Sequence, residues 1–117
     1  MGKVYGLHTL QLQPGVAGGD FERFVASNIE QWPPLPGWRI ALLKGDRGDQ
    51  VGQYVALVEV ESIEARDQVS PTGGFEDTAE GRQWAAEVGP FLEQWRQYVD
   101  KIPGLDAPYT DYHEIIG

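Results

Sequence analysis

Two histidines, His8 and His113, are the only imidazoles in a chain without cysteine, so few of its side chains can exchange a proton near neutral pH. An unperturbed imidazole titrates near about 6.5, so at neutral pH it is mostly uncharged, accepting a proton at one nitrogen and donating from the other. His8 lies in "VYGLHTLQLQPG", Val4 to Gly15, and is a candidate general base. The alternative is a core imidazole hydrogen-bonded to a backbone carbonyl or to Tyr54, as buried polar groups usually are. His113, in "YTDYHEIIG", shares strand parity with Tyr109 and Asp111. Neither an H-x-x-x-H nor an H-x-E spacing occurs, so no metal site is expected, and no Ser-His-acid set stands out. No cofactor motif appears either: the "GGD" before the first predicted helix lacks the spacing and the parallel βαβ setting of a dinucleotide site.

The elements that must carry these residues can be read from periodicity. Val4 to Gln13 alternates by twos, with Val4, Gly6, His8, Leu10 and Leu12 on one face of a strand. "PGVAGGD" then breaks the pattern, and Asp20 can cap a helix whose inward positions are Phe21, Phe24, Val25, Ile29 and Trp32. "PPLPG" ends that helix, since proline has no amide donor and disfavours the helical region in the residue before it. Trp38 to Lys44 and Val51 to Glu61 read as a hairpin around the polar "GDRGDQ". Ser62 caps a short helix, Ile63 to Val69. A longer helix follows: Asp77 and Glu80 have capping-box spacing, and Trp84, Val88, Phe91, Leu92, Trp95 and Val99 form its apolar stripe. Gly89-Pro90 should kink or split it. "YTDYHEIIG", Tyr109 to Gly117, has the composition of a closing strand.

The order β-α-β-β-α-β predicts an α+β, ferredoxin-like fold, with a four-stranded antiparallel sheet and its helices on one face. One domain spans residues 1–117, a length able to bury one core. Both sheet faces carry apolar residues. Leu7, Leu43, Val55 and Leu57 would form an exposed apolar patch on the face away from the helices, and such patches mark interfaces. A homodimer packed sheet to sheet is therefore expected.

The charge balance narrows the partners. With 18 acidic and 9 basic residues the formal net charge is -9, which repels phosphate backbones and anionic lipid surfaces, so neither nucleic acid nor membrane is an expected partner. The start "MGKVYGLHTL" has no long apolar run and no stretch is long enough to span a bilayer, so the expected location is cytoplasmic.

The element order, "GLHTLQLQPGV" followed by an aromatic-rich helix, and the strand ending in "VEVESIEARD" resemble the dimeric α+β barrel superfamily. That group includes antibiotic-biosynthesis-type monooxygenases, haem-degrading monooxygenases, small polyketide cyclases and stress-responsive barrel proteins. The resemblance implies a small-molecule cleft between the sheet and its helices, with the other sheet face closing a barrel against a second copy. It places His8 on the cleft side as the catalytic candidate. Phe24 and Asn28 fall at cleft-lining helix positions, with Tyr54, Ala56 and Val58 as the floor and Trp84 or Trp95 as a wall. An aromatic wall suits a small, flat, apolar organic ligand. The Asn, Trp and His on which haem-degrading relatives rely have no match here: His8 takes the strand-one position, Val60 or a neighbour the strand-three position, and the last helix has no His. The His-Pro-x-His run of the cyclases is replaced by "VSPTGG". The resemblance thus implies a cofactor-free monooxygenase or isomerase, the alternative being a non-catalytic stress-responsive or ligand-binding barrel.

Overall fold

The computed structural model describes residues 2–117. It contains β1 (Val4–Leu10), α1 (Gly18–Glu30), β2 (Trp38–Lys44), β3 (Tyr54–Val60), α2 (Ile63–Val69), α3 (Ala79–Glu93) running on into a 3-10 turn (Gln94–Gln97), and β4 (Tyr109–His113). The strands form one antiparallel sheet in the order β2-β3-β1-β4. This is the predicted α+β ferredoxin-like arrangement. β1 and β3 are central because they hold the alternating apolar residues, and their inward positions Val4, Leu10, Tyr54, Ala56 and Val60 are all buried.

Several boundaries differ from the sequence reading. β1 ends at Leu10, and beyond it Leu12 makes only an isolated bridge to Val99. β3 begins at Tyr54 rather than Val51, because the connection from β2 folds into a tight turn. There Gly45 donates to Gln53 O at 2.8 Å and accepts from Gly52 N at 2.8 Å. A side chain at position 45 would stand 1.8 Å from Gln50 O, so only glycine fits. α1 starts at Gly18 with Ala17 as its cap, and Asp20 lies inside the first turn, ion-paired to Arg23. The cap of α3 is Thr78, whose hydroxyl accepts from Gly81 N at 2.9 Å, while Asp77 accepts from Thr72 instead. Ser62 caps α2 as predicted, accepting from Ala65 N at 3.0 Å. Pro90 does not split α3, since it sits on the exposed side of the helix, where water can reach the carbonyl it leaves unpaired.

The main core lies between the sheet and the helices, with Phe21, Val25, Tyr54, Val88, Trp95, Val99 and Ile102 in contact. On the opposite sheet face Leu7, Leu57 and Ala41 lie side by side across β1, β3 and β2. Leu43, on the same face, is exposed.

Candidate functional site

A cavity of about 350 Å³ opens between the inner sheet face, α1 and α3, and it is mainly apolar. Its aromatic side is formed by Trp32, Trp38, Phe75 and Trp84. These rings form a chain of contacts, with centroids 6.1 Å apart for Trp32 and Trp84, 5.1 Å for Phe75 and Trp84, and 6.0 Å for Trp38 and Phe75. The Trp84 indole N–H is anchored to Pro33 O at 3.3 Å, so the "PPLPG" segment that ends α1 also fixes one wall.

The other end is polar and carries His8. Strand alternation turns His8 inward, and register places it between Ala56 on β3 and Tyr109 on β4. Its ring stacks on Tyr109 with centroids 5.1 Å apart and planes 17° apart. The Tyr109 hydroxyl in turn donates to Gly73 O at 3.4 Å. His8 is 8% exposed, and its buried Nδ1 has no hydrogen-bond partner. It therefore makes neither the backbone-carbonyl bond nor the Tyr54 bond of the core alternative. Burial pushes the His8 pKa below its ordinary value, and the negative charge of Asp111 offsets part of that shift. Asp111 lines the same end and accepts from Arg66 Nη1 at 3.4 Å.

Of the residues suggested by sequence, His8, Val58 and Trp84 line this cavity. Phe24, Asn28, Tyr54 and Trp95 do not, and each has another role in the packing. Phe24 stacks on Tyr98 at 4.4 Å and, with Asn28, borders a separate shallow depression beside α1. Asn28 is a buried polar hub: its Oδ1 accepts from Trp95 Nε1 at 2.7 Å and Trp32 Nε1 at 2.8 Å, and its Nδ2 donates to Phe91 O and Gln94 Oε1, both at 3.1 Å. Trp95 is fully buried in the core. Tyr54 is buried, and its hydroxyl donates to Glu22, which Lys44 approaches at 3.5 Å. Ala56, expected in the floor, is sealed beneath the core.

Sequence reasoning missed Gly6, Arg66, Tyr109 and Asp111. The available signals were a glycine inside a strand, which often marks a close approach, and the polar parity of Tyr109 and Asp111. The histidines prove to share a sheet face but to lie apart, His113 opposite Val4 and His8 opposite Tyr109. Among the described residues no three His, Asp or Glu side chains converge as metal ligands would, and no helix is long and apolar enough to cross a membrane.

No protein-family model matches the chain, and no curated protein matches it. Solved structures do match. SnoaB, a cofactor-independent oxygenase from Streptomyces nogalater, superposes with a TM-score of 0.58 at 16% identity, covering 100% of this chain and 97% of SnoaB. A DABB-family protein with a ferredoxin-like fold from Mesorhizobium loti gives 0.55 at 12% identity over 98% of this chain and 99% of its own. A candidate antibiotic biosynthesis monooxygenase from Bordetella bronchiseptica gives 0.53 at 17% identity over 99% and 100%. The chain therefore has the ferredoxin-like fold shared by antibiotic-biosynthesis-monooxygenase and DABB-type proteins.

Proposed function

We propose that this protein binds a small, flat, apolar or aromatic organic molecule in the cavity beside His8 and acts on it as a cofactor-free monooxygenase or isomerase. The observation that carries this reading is His8 itself, a buried imidazole at the wall of an open aromatic cavity with Nδ1 unpartnered. A histidine kept only for packing would normally have both nitrogens satisfied. In such a site the imidazole N–H facing the cavity stabilises the negative charge left when an electron-rich ring loses its proton, and an apolar wall keeps competing water away. As an oxygenase, the substrate supplies all four electrons: a ring CH₂ becomes C=O with one oxygen atom of O₂, and the other leaves as water. As an isomerase, the same proton returns to a different carbon and no O₂ is consumed.

Oxygen uptake and product analysis across a panel of hydroquinone-like and aromatic polyketide compounds test this reading. Turnover that disappears in His8→Ala, with thermal stability retained, is the expected result. Binding without turnover, aerobic or anaerobic, overturns the enzymatic half and leaves a ligand-binding barrel.

The assembly we infer is a homodimer closed through the outer sheet face, supported by the Leu7, Leu57 and Ala41 row and by exposed Leu43. Sedimentation equilibrium should find a dimer that Leu57→Lys converts to monomer. A monomeric native chain overturns the assembly.

A further inference from the structure

The polar end of the cavity contains a notch whose shape and pairing are more specific than an apolar cleft requires. Gly6 does not line the cavity, but its bare Cα gives the Asp111 carboxylate room to lie there. A methyl group at that position would stand 2.7 Å from Asp111 Oδ1, 3.5 Å from His8 Nε2 and 3.7 Å from Val58 Cβ, so it would push the carboxylate away from its place beside His8. Arg66 holds the other carboxylate oxygen, Oδ2, at 3.4 Å. Oδ1 makes no hydrogen bond among the described residues.

The buried Nδ1 decides which nitrogen of His8 carries the proton. An orphaned buried N–H is costlier than an orphaned lone pair, so the proton belongs on Nε2 and the lone pair on Nδ1. The notch then offers one donor, Nε2–H, and one charged acceptor, Oδ1. A hydroxyl satisfies both, accepting from His8 and donating to Asp111. An ether or ketone oxygen has no proton to give and would meet the carboxylate lone pair to lone pair.

We propose that the polar end of the cavity, between His8 and Asp111, is a hydroxyl subsite, so that the cavity selects aromatic ligands bearing a free hydroxyl over their methyl ethers. The inference rests on reading the cavity as a site for flat organic ligands. It adds Asp111 as a specificity-determining residue, with Arg66 a positioning residue that orients the carboxylate and Gly6 the bare position that lets the carboxylate lie beside His8.

The test is titration of the full chain with 2-naphthol, 2-methoxynaphthalene and naphthalene, followed by ¹H–¹⁵N NMR with the Trp84 indole N–H locating the ligand. One charged and one neutral hydrogen bond at a partly open site should favour 2-naphthol over its ether by roughly tenfold. That ratio should fall to about one in Asp111→Ala and in Gly6→Ala. Asp111→Ala, on an exposed edge strand, keeps the test decisive if Gly6→Ala does not fold. Equal affinities in the native chain, or a preference that survives Asp111→Ala, overturn the subsite. If naphthalene binds and naphthol gains nothing, the subsite alone fails. If none of the three perturbs Trp84, the cavity reading falls and the subsite with it.

Discussion

Trp95 and Trp84 come from one continuous helical run, yet their surroundings differ. Trp95 lies in a closed cluster where Phe21, Phe24 and Trp32 meet its ring and Asn28 takes its N–H. Trp84 is half-buried and fronts the open cavity. Around Asn28, outside the cavity, all four hydrogen-bonding positions of the amide are used, whereas at the polar end of the cavity His8 Nδ1 has no partner. The comparison separates two uses of similar residues. Where polar atoms are fully paired, aromatic side chains specify the core, and where one is left unpaired beside a void, they shape a place for something else.

The largest expected effect is in the closed cluster. Trp95→Ala should lower stability by about 3–5 kcal/mol in urea unfolding, as large-to-small core changes do. Asn28→Ala should follow at about 2–4 kcal/mol, because two buried indole N–H groups lose their acceptor. Trp84→Ala should cost only about 1–2 kcal/mol by the same measurement, since part of its ring already faces the cavity. A loss at Trp84 equal to that at Trp95 would erase the distinction between the two regions.

His8→Leu should change stability least, within about 1 kcal/mol of the native chain at neutral pH, because it removes an unpaired polar group. Its pH dependence sharpens the point. The folded-state pKa of His8 is depressed by burial. Above an unfolded value of about 6.5 both states are neutral there, and no proton-linked term exists. As pH falls below that value the unfolded chain binds a proton that the folded chain refuses, so stability falls until the lower folded pKa is reached. The urea midpoint should therefore drop less in His8→Leu than in the native chain between about pH 7 and about pH 5. Equal drops would mean that His8 is not held in a buried, neutral state.

The fold was readable because period and punctuation are local properties. The twofold alternation of Val4 to Leu10 gave β1 and the inward face of His8, and the spacing of Val88, Leu92 and Trp95 gave the buried side of the last helical run. Capping was less readable, because adjacent Asp77 and Thr78 both suit the position. Only the folded geometry pairs Thr78 with Gly81 and gives Asp77 to Thr72. Helical spacing also says which residues point inward without saying how deep each one lies. Asn28 and Trp95 point inward as expected, but into the core and not the cavity.

By itself, then, the sequence determined the order of elements, the sheet's antiparallel character and the face on which His8 stands, since each follows from residues near one another along the chain. Tertiary structure decided what His8 faces. The register of β4 against β1, which sets Tyr109 opposite His8 and Asp111 opposite Gly6, joins opposite ends of the chain. No local pattern encodes such a pairing. It is fixed by the packing of the whole sheet against its helices, and it makes a histidine, a tyrosine and a carboxylate into one end of a cavity.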